Sequence, residues 1–269
     1  MQLQRTLELP GRWDRAGRPI LICLLGGFRL VKSGETVSFH SGGKGELLLS
    51  TLALRRGAGV PRETVIATLW PNTEATLANQ SLSSLVHSMD RLLGGQLGVC
   101  KPVLHVGSSY QLNLKAGVSV GIECVHALVR SGDEQRRADD HAGALESYRR
   151  AVQFYRGDLC AGTDIYAVIE RERLRAQHLT LLARLADDSY ESGDYGSCLE
   201  HALSLLSTEP CREDAHRMVM RCYVRRGERA QALRQYRVCE QILRSEFDAV
   251  AETATTRLFD QVRLNPSSI

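Results

Sequence analysis

Two blocks of this 269-residue chain align with each other at an offset of 34. Gly193-Asp194-Tyr195-Gly196-Ser197-Cys198 matches Gly227-Glu228-Arg229-Ala230-Gln231-Ala232, and at the same offset Ala202 corresponds to Tyr236 and Leu205 to Cys239. A period of this length, with Gly at a turn and small residues where helices touch, marks a repeated helical hairpin. One hairpin cannot bury its own apolar face, so neighbouring hairpins must stack. Pro210 closes the first unit. Upstream, Ala144, Leu145, Tyr148, Ala151, Val152 and Tyr155 form one helical stripe that ends at Gly157, and Ala144, Tyr148 and Ala151 read as the second helix of an earlier, degenerate unit. Val125–Val129 reads as a short helix. A long helix is expected from about Ile165 to Ser192, with Leu174, Leu181, Leu182, Leu185 and Tyr190 on its apolar side. Its run Glu170, Arg171, Glu172, Arg173, Arg175 reads as a solvated face. A last helix, about Glu252–Arg263, carries Leu258, Phe259 and Val262 and caps the stack.

The first half of the chain has a different rhythm. Short alternating runs at Leu21–Leu25, Phe28–Val31 and Thr36–Phe39 predict strands, with the turn Lys32-Ser33-Gly34-Glu35 between the last two. Three helices follow. The first carries Leu47, Leu48, Leu52 and Leu54; the second starts after Val60-Pro61 and buries Val65, Ile66 and Leu69. The third runs from about Thr76 to Leu93, with Leu77, Leu82, Leu85, Val86, Met89 and Leu92 on one stripe, and Gly94-Gly95 stops it. Trp70-Pro71-Asn72 turns the chain between the second and third, with Trp70 packing under the turn. Val103–Val106 and Tyr110–Leu114, joined by Gly107-Ser108-Ser109, predict a hairpin. Sheet, three helices and hairpin in this order outline a helix-turn-helix with a β wing, an arrangement that places one helix in a DNA groove.

Charge agrees with that reading. Residues 1–119 hold 13 Lys/Arg against 7 Asp/Glu, while residues 120–269 hold 21 against 24, so a basic half precedes a mildly acidic one. No stretch approaches the roughly 20 apolar residues of a membrane span. The short apolar run at 19–27 reads as a strand rather than a targeting segment. The eight Cys form no C-x-x-C and read as free thiols in a reducing cytosol, so a cytoplasmic location is expected. His126, His178 and His201 read as surface or interface residues, since no ligand spacing joins them. Gly26-Gly27 and Gly42-Gly43 read as turns, because no phosphate-loop G-K-[ST] follows. No catalytic constellation, metal set or cofactor site stands out, and none is expected.

Leu69-Trp70-Pro71, Tyr155-Arg156-Gly157-Asp158-Leu159, Glu170-Arg171-Glu172-Arg173-Leu174 and Asp214-Ala215-His216-Arg217, set in this order of elements, carry a family resemblance. The chain resembles the antibiotic-regulatory-protein type of bacterial activator, which pairs a winged helix with a tetratricopeptide-like bacterial transcriptional activator domain. The resemblance covers about residues 20–263. The expected fold is therefore mainly α: an N-terminal winged helix-turn-helix with a small sheet, three helices and a wing, then an all-α helical-repeat domain. The expected divisions are a flexible tail at 1–19 with Arg5, Arg12, Arg15 and Arg18, the winged helix at 20–117, and the repeats at 118–269. The resemblance implies a DNA-binding transcription regulator whose helical domain dimerises or contacts the transcription machinery.

The chain departs from the family on the third helix. Where relatives place several Arg, this sequence has Asn79, Ser83, Ser88 and Asp90, keeping only Arg91; the first helix keeps Lys44 but has Glu46 where a basic residue is common. Candidate DNA contacts are Lys44, Asn79, Gln80, Ser83, Ser84, His87 and Arg91, with His105, Ser108 and Ser109 on the wing. Three readings stay open: weak DNA binding aided by a homodimer, dependence on a protein partner such as RNA polymerase, or a scaffold that has lost DNA binding. The repeat groove is a candidate site for a partner or a small-molecule effector. No membrane partner is expected.

Overall fold

The computed structural model describes residues 19–37, 43–162 and 164–269. The Arg-bearing tail, Ser38 and Phe39 of the third expected strand, and Gly42 lie outside the described residues. The chain divides into two units, the first running to Leu174 and the second covering Arg175–Ile269.

In the first unit, β1 (Ile20–Cys23), β2 (Arg29–Lys32) and β3 (Glu35–Val37) form an antiparallel meander. A strand that the sequence reading left out, β7 (Val118–Val120), joins β1 in parallel, with Ile20 opposite Val118 and Ile22 opposite Val120. Sheet order is β3-β2-β1-β7. The helices are α1 (Lys44–Leu54), α2 (Arg62–Leu69) and α3 (Ala75–Leu93), which touch one another. Pro61 stands just before α2, inside the two-residue strand β4 (Val60–Pro61) rather than in the helix. The hairpin of β5 (Val103–Val106) and β6 (Ser109–Leu112) pairs with β4 in the order β4-β6-β5.

The core follows from the apolar positions, with corrections. Leu48, Leu49, Leu52, Leu69, Leu82 and Leu93 are fully buried, whereas Leu47 is half-buried. The expected stripe of α3 is narrower than read: Ala78, Leu82, Met89 and Leu93 are buried, Leu85, Val86 and Leu92 are half-buried, and Leu77 is exposed.

Past β7 the chain is helical. α4 (Gly121–Arg137) is far longer than the short segment read from Val125–Val129, and it packs along α5 (His141–Phe154) as a hairpin. The polar last turns of α4 hid its length. After α5, the stretch Tyr155–Leu159 docks against the end of β1: Leu25 and Leu159 form a bridge, the Gly26 N–H donates to the Asp158 carbonyl at 3.0 Å, and the Cys160 N–H to the Leu24 carbonyl at 2.9 Å. Gly26 has φ +74°, and a Cβ there would lie 2.5 Å from the Arg156 backbone, so this approach needs Gly. α6 (Ile165–Glu191) runs through the division between the units.

The second unit continues with α7 (Tyr195–Thr208), α8 (Glu213–Arg225), α9 (Arg229–Phe247) and α10 (Thr253–Leu264); each of the last three packs on its predecessor, and Ala186 of α6 is buried with Cys198 of α7 and Cys222 of α8. The 34-residue offset is structural: Gly193 (φ +79°) and Gly227 (φ +78°) both take the left-handed conformation that ends a helix. Ala202, Leu205, Tyr236 and Cys239 are all buried, as equivalent positions of a stack should be. Tyr236 stacks on Phe259 at a centroid distance of 4.1 Å, which seats the capping helix α10. Cys198 and Cys222 are buried side by side, Sγ to Sγ 3.1 Å, while Cys100 and Cys160 are exposed. Among the described residues no helix is long and apolar enough to cross a membrane, and no group of His, Cys, Asp or Glu is placed to hold a metal ion.

Candidate nucleic-acid interface

Buried positions on α3 fix which side faces out. With about 100° per residue, Gln80, Ser84, His87 and Arg91 lie opposite the buried line Ala78, Leu82, Met89 and Leu93. All four outward residues are exposed. They form one polar stripe along the helix, of the residue types that read base edges and phosphates.

The other expected residues of α3 sit differently. Asn79 is turned toward α2. Its Oδ1 accepts from Arg62 Nε at 2.6 Å, its backbone carbonyl accepts from Arg62 Nη2 at 3.3 Å, and its Nδ2 donates to the Ala75 carbonyl at 2.7 Å. Ser83 is exposed, with Oγ donating to the Asn79 carbonyl at 3.0 Å. Asn79 therefore ties α3 to α2, its amide oxygen and nitrogen both engaged within the protein. Lys44 likewise donates its ammonium to the Leu69 carbonyl, at the C-terminal end of α2, where the helix dipole favours a cation.

Arg62 organises this half of the molecule, and the sequence reading missed it. Its Nη1 donates to the Tyr110 hydroxyl at 2.6 Å, and its backbone N–H donates to the Ser108 carbonyl at 2.8 Å. One residue thus ties the start of α2 to both α3 and the wing. A signal was available: a cation in the first turn of a helix is opposed by the dipole and calls for specific partners.

On the wing, Ser108 is exposed at the hairpin tip beside Gly107, whose φ is +61°. His105 is exposed and stacked on Tyr110 at 4.5 Å. Ser109 is half-buried, paired with Pro61 of β4. Of the nearby cations, Lys32 donates to the Leu92 carbonyl at 2.8 Å, while Arg91, Lys101 and Lys115 are exposed. Lys101 lies 3.9 Å from Asp90. Burial raises the Asp90 carboxyl above its usual range, and Lys101 and His87 oppose that.

A second polar cluster gathers around Arg56. Arg56, just after α1, pairs with Glu170 of α6, lies 3.4 Å from Glu123 of α4, and meets His126 Nδ1 at 3.1 Å. Glu170 was expected on a solvated face, yet it is 4% exposed; His126, expected at a surface or an interface, lies at an interface, its side chain 11% exposed. His178 is buried as well. For Glu170 and His126 the reason is tertiary: helical periodicity alone does not reveal that Arg56, from beyond α1, and α4 meet the start of α6. Desolvation first, then Arg56, Arg173 and Arg130, lower the His126 pKa to about 4, so its ring is neutral at physiological pH.

The motifs that carried the family resemblance act as fixings. Arg171 Nε donates to the Leu159 carbonyl at 2.9 Å, joining two of them. His216 sits between the Pro210 carbonyl at 2.8 Å and the Gln235 amide at 2.7 Å, and Arg217 pairs with Glu252 at 2.9 Å.

Comparison with known proteins places this arrangement. Residues 122–263 match the family model of the bacterial transcriptional activator domain. Among curated proteins no match is found. Among solved structures, Mycobacterium tuberculosis EmbR, determined in complex with a low affinity phosphopeptide, is similar with a TM-score of 0.68 at 18% sequence identity, covering 93% of this chain and 67% of that one.

Proposed function

Because the chain belongs to the bacterial transcriptional activator domain family, we propose that this regulator binds duplex DNA through α3 and its wing, and that its helical repeats serve assembly. The observation that carries the reading is the outward stripe Gln80, Ser84, His87 and Arg91, exposed while Arg62 fastens the helix beneath it. Gln80 has the geometry to pair with the edge of an adenine, His87 and Arg91 reach toward phosphates, and His105 and Ser108 on the wing approach the adjoining backbone. Asn79 and Lys44 support the reading helix instead of touching DNA. Ser84 supplies a hydroxyl on the stripe itself and Ser83 one beside it, while Ser109 stands at the base of the wing.

The commitment of Lys32, Lys44 and Arg62 to internal acceptors favours a second feature, low intrinsic affinity. Phosphate contacts supply most non-specific affinity, and Arg91, Lys101 and Lys115 are few. Two copies on paired half-sites gain through effective concentration, so a homodimer, RNA polymerase or another protein partner is the natural complement. A small-molecule effector in the repeats is compatible with the same arrangement. The test is fluorescence anisotropy of the full chain against duplex from upstream of its own gene. Gln80→Ala should weaken specific binding by about tenfold or more. If wild type and variant bind specific and scrambled duplexes alike, α3 is not the reader, and the repeats act as a scaffold.

A further inference from the structure

Leu77 was expected inside the apolar stripe of α3, yet it is 54% exposed. Single exposed leucines are ordinary on protein surfaces, and its position gives this one meaning. Three residues along a helix turn about 60° short of a full circle, so Leu77 stands on the same outward side as Gln80, and seven residues place it almost directly in line with Ser84. Thr76, Gln80, Ser81 and Ser84, its neighbours on that side, are all exposed. Leu77 is the one large apolar side chain of the first two turns of α3 that faces outward.

We infer that Leu77 is a specificity-determining residue that contacts the C5-methyl group of a thymine in the major groove. The inference rests on the DNA-binding reading above. The thymine methyl is the one apolar group that a base pair presents in that groove, and aliphatic side chains meet it there. Helix-turn-helix proteins present the N-terminal residues of the second helix to base edges, which is where Leu77 lies. Leu77 and Gln80 are separated along the axis by about 4.5 Å, close to the roughly 3.4 Å rise of one base pair. A leucine for a thymine methyl beside a glutamine for an adenine edge therefore specifies two A·T pairs no more than a step or two apart. Arg62 strengthens the assignment: by holding Asn79 against α2, it takes from the face the one other amide at this end of the helix.

The experiment selects duplexes from a random pool with the full chain, then replaces each enriched thymine singly by deoxyuridine, which removes only the methyl group. At one enriched position the replacement should weaken wild-type binding three- to tenfold. Leu77→Ala, an exposed change to a strong helix former, should bind thymine and uracil duplexes equally, at the affinity that wild type shows for uracil. Wild-type binding indifferent to every replacement overturns the thymine assignment, as does a Leu77→Ala protein that keeps the methyl preference. Enriched duplexes without thymine in the bound half-site overturn it too. A pool from which nothing is enriched overturns the DNA-binding reading itself, and this inference with it.

Discussion

At the scale of single residues, the polar groups that matter most are buried or braced. Glu170 lies at 4% exposure and pairs there with Arg56. Removing one partner of a buried pair leaves the other uncompensated. Glu170→Gln should therefore destabilise the protein by about 3 kcal/mol, measured as a shift in urea midpoint at pH 7. His126 adds a pH dependence whose sign follows from its environment. Its pKa is lowered from 6.5 to about 4, so above pH 6.5 both folded and unfolded chains hold it neutral. Below 6.5 the unfolded chain takes up a proton that the folded one refuses, and stability falls until about pH 4 at a rate of at most about 1.4 kcal/mol per pH unit. Arg56, Arg130 and Arg173 keep the proton out, while Glu170, 3.8 Å away, is already engaged by Arg56. Urea midpoints of wild type and His126→Asn between pH 7 and 5 check this: the variant should lose less stability on acidification, and parallel curves would refute the neutral buried ring.

At the scale of elements, helix pairs are held by matched volumes. In the first hairpin Tyr148 of α5 lies over Gly132 of α4, where an added Cβ would come within 2.4 Å of the ring, and the Tyr148 hydroxyl donates to Asp133 at 2.7 Å. By hairpin equivalence Ala186 and Ala202 take these places in the next unit, and Met220 and Tyr236 in the last, and all four are buried. Met220 and Tyr236 share one core cluster, so the last hairpin fills the equivalent place with a different pair. Gly132→Ala should overpack the first one and cost about 1–3 kcal/mol, with Tyr148→Leu in the same chain restoring part of the loss; calorimetric melting of the three proteins checks it. α3 depends on a different device. Arg62→Met keeps the bulk but cuts the ties to Asn79 and Tyr110, so DNA affinity should fall while far-UV circular dichroism stays unchanged, although Arg62 itself does not reach the DNA.

For the molecule as a whole, the arrangement of charge and apolar surface governs association. Three exposed cations around α3 and the wing release few counterions, so the slope of log affinity against log salt should be shallow, roughly −2 to −4 per bound copy. A slope near −8 would assign the contact to the N-terminal Arg residues or another basic face. A homodimer needs apolar surface, and Leu205, Cys239 and Leu243 of the repeats cannot supply it, because all three are interior. Exposed apolar side chains include Ile165, Val168 and Ile169 at the start of α6, and in the second unit Leu203, Val238, Phe247 and Leu264 on helices and Val250 between α9 and α10. Light scattering of the full chain at tens of micromolar should report a dimer, and a monomer with and without DNA would refute it.

The sequence by itself determined what local periodicity can carry. The 34-residue offset, the paired turn glycines, the apolar line of α5, and the order of sheet, helices and wing all rest on residues near one another in the chain. Only the tertiary structure decided the rest, because the partners are remote. Arg62 meets Asn79 and Tyr110 across separations of 17 and 48 residues, and Arg56 meets Glu170 across 114. β7 has three residues, too few for a period, and becomes a strand because β1 offers it an edge. Leu77 fits a helical stripe by spacing, but among the described residues it is left 54% exposed. Asn79 and Gln80 are adjacent polar residues that spacing alone cannot rank, and Arg62, arriving from another helix, turns one into a support and leaves the other free to read.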